Sequence, residues 1–185
     1  MSVKVIPNSL TLIRLLAAPV MVWLIGEGMM AAAFWLFAAA ALTDAADGAI
    51  AKMFDARTCV GSYLDPLADK ALLVGVYVSF GFAGYLPRWL VILVVFRDIL
   101  IVGGAILYEL VIGNLVMRPL LISKMNTLGQ IVLAGTVLGG TGLGMRVGPA
   151  LGPMIGFVSA TAILSVVAYG WVWGRAALTD NGNGQ

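Results

Sequence analysis

The sequence predicts an all-α integral membrane protein, a single bundle of six transmembrane helices over residues 1–185. Three observations carry this. Of the 185 residues, 61% are hydrophobic, where a soluble domain is closer to half apolar, and the mean hydropathy is +1.02. Six apolar runs approach the roughly 20 residues that a helix needs to cross a hydrocarbon core. Basic residues gather at one set of run ends. The connecting segments leave no room for a separate soluble domain.

The first span is expected over about 9–25, entered through Pro7-Asn8 with Asn8 as its cap, and is broken by Gly26-Glu27-Gly28. It resembles a signal sequence, but Pro19 and the uncharged Met-Met stretch after Glu27 offer no clear A-x-A cleavage site, so it reads as a retained span. The second runs over about 29–52 and the third over 61–83. Gly84 and Pro87 punctuate the turn to a fourth over 87–111. Gly113-Asn114 and Pro119 precede a fifth over 121–138, and the glycine-rich GGTGLG is expected to end it. The sixth covers about 147–173. Lys4, Arg14, Lys52, Arg57, Lys70, Arg118, Lys124 and Arg175 lie near one set of ends, Arg88 and Arg146 near the other. The positive-inside rule then puts both termini and the 52–61 and 112–121 loops in the cytoplasm.

Several function classes are excluded at this level. A net charge of +2, with its cations dispersed, argues against nucleic acid as a partner. Cys59 is the sole cysteine, so there is no intrachain disulfide and no thiolate metal site. Without histidine, any general base must be a carboxylate, lysine, tyrosine or cysteine.

Against this hydrocarbon background, DAADGAIAKMFDARTCVGSYLDPLADK stands out. Asp44 and Asp47 are three apart and share a helix face, and Asp65 and Asp69, four apart, do so on the next helix. A short loop makes the two helices antiparallel neighbours, so four carboxylates converge at the cytoplasmic edge. Unpaired, they repel. Lys52, Arg57 and Lys70 offset part of that charge, and hard divalent cations suit the remainder. Two such metals about 3.5–4 Å apart are a recurring device for in-line phosphoryl transfer. Gly48, Ala51 and Gly61 leave space beside the acids for a bulky ligand.

The spacing D44-x2-D47-G48-x2-A51-K52-x8-G61-x3-D65-x3-D69 resembles the signature of the CDP-alcohol phosphatidyltransferases, D-x2-D-G-x2-A-R-x8-G-x3-D-x3-D. Lys52 stands where that family carries Arg. It keeps the charge and loses the bidentate fork. The resemblance implies a six-helix membrane bundle with its active site at the cytoplasmic edge. It implies Asp44, Asp47, Asp65 and Asp69 as ligands of two Mg²⁺ or Mn²⁺ ions, with Asp69 also the general base. It implies CDP-diacylglycerol as donor, held near Asn8, Thr11, Gly48, Ala51, Lys52 and Gly61, and transfer of its phosphatidyl group to an alcohol with release of CMP. Location in the cell inner membrane, or the mitochondrial inner membrane of a eukaryote, and a homodimer are further expectations of that family.

Two other segments bear on the acceptor. P7-N8-S9-L10-T11-L12-I13-R14 and the Arg97-Asp98 pair resemble features shared by the phosphatidylglycerophosphate synthase and eukaryotic-type cardiolipin synthase branches. S123-K124-M125-N126-T127-L128-G129-Q130 is more like the S-K-x-N-T-x-x-Q of the cardiolipin branch, where the other tends to G-K-x-K-T-x-x-Q. The expected acceptor groups are Arg14, Arg97, Arg118, Ser123, Lys124 and Asn126. Asn126 adds hydrogen bonds without charge, which suits the single negative charge of phosphatidylglycerol better than the dianion of glycerol 3-phosphate. Phosphatidylglycerol is therefore the preferred acceptor and glycerol 3-phosphate the alternative. Arg14 and Lys124 also fit a second role as interfacial anchors, and Asn126, Thr127 and Gln130 as interhelical glue. From a different class, an ion or proton transporter also uses intramembrane acids, but would spread them along a path rather than at one edge.

Overall fold

The computed structural model describes the backbone over 5–54, 61–111 and 120–180, and the side chains over 13–44, 70–104 and 120–172. Six helices and no strand occur among the described residues: α1 Val5–Gly26, α2 Met30–Phe54, α3 Gly61–Ala83, α4 Arg88–Val111, α5 Leu121–Gly142 and α6 Gly148–Asp180. Each is rich in Leu, Ala, Val, Ile and Met. Pro19 within α1 and Pro153 within α6 each remove one donor from the helical ladder.

One end of the bundle is closed by three short turns, each with a glycine at positive φ: Gly28 (φ 72°), Gly84 (φ 79°) and Gly144 (φ 68°). The first is a full Schellman motif, in which Met29 N donates to Leu24 O at 2.8 Å and Gly28 N to Ile25 O at 3.1 Å. A side chain at these φ values costs energy that glycine avoids. The other end holds the beginnings of α1, α3 and α5 and the ends of α2, α4 and α6.

Three boundaries differ from the sequence reading. α1 begins at Val5, so Asn8 sits in its first turn rather than at its cap. α5 continues through the glycines to Gly142. Its small residues are packing surface: a Cβ on Gly142 would lie 2.6 Å from the carbonyl carbon of Met30, and one on Gly139 would lie 3.4 Å from the Phe34 ring. That close approach outweighs glycine's poor helix propensity. α6 runs past Trp173 to Asp180, because hydropathy marks the apolar stretch and the hydrogen-bonded ladder continues beyond it.

Among the described residues α1 and α5 each touch both α2 and α3, and no contact between α2 and α3 themselves is described. The ends joined by residues 55–60, where the sequence reading sets these two helices side by side, carry side chains outside the described residues.

The core is lined by Met21, Ile25, Ala33, Val76, Tyr77, Phe80, Leu133 and Leu138, all essentially inaccessible. Arg97, Asp98, Asn126, Gln130, Thr161 and Ser165 are buried with them, while Trp35, Phe82, Ile92, Ile99, Leu121 and Val167 are exposed. Polar groups inside and large apolar groups outside invert the pattern that water selects. Among the described residues, Leu121–Gly142 and Gly148–Val172 are long and apolar enough to cross a membrane.

Candidate active site

A cavity of about 100 Å³ lies where four helices meet, its lining including Arg14, Ala40, Asp44, Leu72, Thr127 and Ile131, from α1, α2, α3 and α5. Its polar feature is an ion pair: Arg14 Nη1 lies 3.1 Å from Asp44 Oδ1. Arg14 is only 5% exposed, whereas the Asp44 side chain is 49% exposed. Neighbouring Thr43, outside the lining, folds its hydroxyl back onto the carbonyls of Ala39 and Ala40, both at 2.9 Å.

Asp47 follows on α2, and Asp65 and Asp69 lie on α3, at the same end of the bundle. Their side chains lie outside the described residues, as do those of Asn8, Thr11, Gly48, Ala51, Lys52 and Gly61; Arg118 lies outside them altogether. Among the described residues no three acidic, His or Cys side chains come together. The donor that is described fits a hard divalent cation: a carboxylate, half open to ligand, at the rim of a cavity. Its described cationic partner is Arg14, whereas the sequence reading looked to Lys52, Arg57 and Lys70.

Lys70 is instead directed to α4, where its Nζ lies 3.1 Å from Asp98 Oδ1. The same oxygen accepts from Arg97 Nη1 at 2.6 Å. Arg97 is 1% exposed. Its Nη2 donates to Ser165 Oγ on α6 at 2.9 Å and to Ser123 Oγ on α5, and its Nε to Ser165 at 3.3 Å. One guanidinium thus ties three helices, and the shared carboxylate brings in a fourth. A charge buried this deeply is tolerable only when paired and hydrogen-bonded.

The remaining acceptor candidates are scattered. Ser123 accepts from Arg97, and Lys124 is exposed. Asn126 is fully buried, with Oδ1 accepting from Thr161 Oγ1 at 2.9 Å. Among the described residues its Nδ2 has no hydrogen-bond partner, nor has either side-chain polar atom of buried Gln130 one turn on. The Gln130 carbonyl accepts from Tyr77 OH at 3.1 Å. Ser165 and Thr161 gave no signal in the sequence, being isolated hydroxyls in an Ala/Val-rich helix.

A profile of the CDP-alcohol phosphatidyltransferase family matches residues 4–173. The chain is similar to a probable cardiolipin synthase (CMP-forming) of Drosophila melanogaster, 31% identical over 154 residues that cover 75% of this chain and 48% of that protein. It is 34% identical to the cardiolipin synthase (CMP-forming) of Homo sapiens over 149 residues, 72% of this chain and 50% of that one. It is 33% identical to a probable phosphatidylglycerophosphate synthase of Mycobacterium tuberculosis over 184 residues, 95% of this chain and 82% of that one. The chain spans about half the length of the first two.

Proposed function

Because the chain belongs to the CDP-alcohol phosphatidyltransferase family, we propose that it transfers a phosphatidyl group from CDP-diacylglycerol to an alcohol, releasing CMP. The observation that carries this is the eight-position signature over 44–69, matched except at Lys52, on two helices that flank a cavity holding the Arg14–Asp44 pair. Asp44, Asp47, Asp65 and Asp69 would hold two Mg²⁺ or Mn²⁺ ions, which when bound supply charge neutralisation for the diphosphate and the displacement at phosphorus. Asp69 takes the proton from the acceptor hydroxyl. The acceptor oxygen forms its bond to the lipid-linked phosphorus as the bond to the CMP oxygen breaks. Arg14 pairs with Asp44, and Gly48, Ala51 and Gly61 leave the face beside the acids open for the cytidine. Asn8, Thr11 and Lys52 complete the donor side.

For the acceptor, the reading is phosphatidylglycerol, giving cardiolipin. Of the acceptor-side cations, Arg97 already spends its donors on Asp98, Ser123 and Ser165, and Asn126 is uncharged. With Arg97 so committed, the balance favours a phosphodiester, since a phosphomonoester carries nearly one more negative charge. A second reading, glycerol 3-phosphate as acceptor, is favoured by the near full-length match to the mycobacterial protein. The apolar exterior supports six membrane spans, and the basic bias of the run ends supports termini and site on the cytoplasmic side of the inner membrane. A homodimer is the expected assembly. The test is a product assay on purified protein supplied with CDP-diacylglycerol and each acceptor in turn. Cardiolipin and CMP are expected with phosphatidylglycerol. Phosphatidylglycerophosphate without cardiolipin would overturn the acceptor and leave the transfer chemistry standing; no CMP with either would overturn both.

A further inference from the structure

Lys70 follows Asp69 directly in α3, so whatever fixes Lys70 bears on the turn that presents Asp69. We infer that Asp98 is a positioning residue for this reaction, anchoring through Lys70 the acid-bearing turn of α3; this rests on the transferase reading above. Three observations support it.

The first is the geometry. Asp98 Oδ1 accepts from Lys70 Nζ at 3.1 Å and from Arg97 Nη1 at 2.6 Å. Arg97 in turn is fastened to Ser123 on α5 and Ser165 on α6. The carboxylate therefore links α3 to a frame built from the other three helices. The second is that the rest of the described α3–α4 interface is largely apolar. Gly81 approaches α4 closely, a Cβ there lying 3.1 Å from Val91 Cγ2, and an open apolar groove of about 450 Å³ has Val78 and Phe82 on one side and Val91, Val95 and Ile99 on the other. The pair holds the site end of that interface, as the turn at Gly84 holds the remote end.

The third is charge. Two cations share one carboxylate, and Asp98 is 5% exposed. Without the carboxylate, two like charges would face each other in a site of low dielectric. Lys70, with a side chain 31% exposed, is the member free to leave. Its departure removes the described ion-pair tie between the α3 turn and α4.

The test compares Asp98→Asn, Asp98→Glu and Lys70→Met with wild type for thermal unfolding and for CMP release at varied CDP-diacylglycerol. Lys70→Met keeps the Arg97–Asp98 pair balanced, so it folds even where Asp98→Asn does not. A misplacement near 1 Å costs on the order of 100-fold in rate. Asp98→Asn and Lys70→Met are expected to lose at least about tenfold in kcat, with KM for the donor within about twofold, and Asp98→Glu is expected to recover most of that rate. Lys70→Met that unfolds with wild type and turns over at the wild-type rate overturns the inference. So does an Asp98→Asn variant whose rate loss only tracks its folded fraction. Wild type that releases no CMP removes the transferase reading and this inference with it, whereas active wild type beside equally active variants removes the inference alone.

Discussion

Replacing Arg97 with methionine keeps the length and apolar stem of the side chain and deletes its charge. The structure gives the guanidinium three anchors: Asp98, Ser123 and Ser165. Removing one partner of a buried ion pair typically costs about 3–5 kcal/mol when the other is stranded. Here Asp98 keeps Lys70, and both serines lie on helices, where a hydroxyl can turn back to a carbonyl one turn earlier. Polar contacts inside membrane bundles average about 0.6 kcal/mol, with a maximum near 1.7. Two such contacts plus part of an ion pair give a loss of about 2–3 kcal/mol. For a chain of this size that lowers Tm by roughly 5–10 °C. Arg97→Lys should lose about half as much, since an ammonium reaches Asp98 but lacks the fork. The assay is thermal unfolding of detergent-purified protein, with Arg88→Gln, an exposed residue, as the control. An Arg97→Met protein that unfolds within a degree or two of wild type would refute the view that this node holds the helices together.

Gly142→Ala should destabilise by about 1–3 kcal/mol, because the new Cβ meets backbone atoms of Met30 and Ala31 at 2.6–2.7 Å; Gly103→Ala, facing open space, should be neutral or better in the same melt. Asp69→Asn should cut transfer by about 10²–10⁴-fold, the usual loss for a general base, with CDP-diacylglycerol binding measured separately and largely retained. Activity should vanish in excess chelator and return with Mg²⁺ or Mn²⁺, and Asp44→Ala should stay inactive in either metal. Full turnover in chelator would dispose of the metal assignment. Asn126→Lys should weaken cardiolipin formation, read as lipid product from phosphatidylglycerol.

The helices were legible in the sequence because long apolar runs and Gly/Pro breaks are local signals. Gly84 and Pro87 marked their turn correctly for that reason. The glycines at 139–142 were misleading, because their role is set by Phe34 and Met30, more than a hundred residues away. Asn8 looked like a cap because the helix start is decided within one turn. The four acids announced themselves through spacing alone, but spacing within a helix says nothing about the distance between helices. Hence the cavity shared by α1, α2, α3 and α5, and the place of Arg14 in it, appear only in three dimensions. Two charges inside an apolar run mark Arg97 and Asp98 as paired or functional groups. Their partners Ser123 and Ser165 could not be chosen from the many hydroxyls in the chain.

The connections between helices are unequal at the two ends of the bundle. At the remote end they are three, four and five residues long, over 27–29, 84–87 and 143–147, each with a positive-φ glycine. At the site end they are six and nine, over 55–60 and 112–120. Insertions or exchanges in the two long connections leave the glycine turns and their close helix contacts untouched. The remote end therefore keeps the bundle in register while those two stretches change.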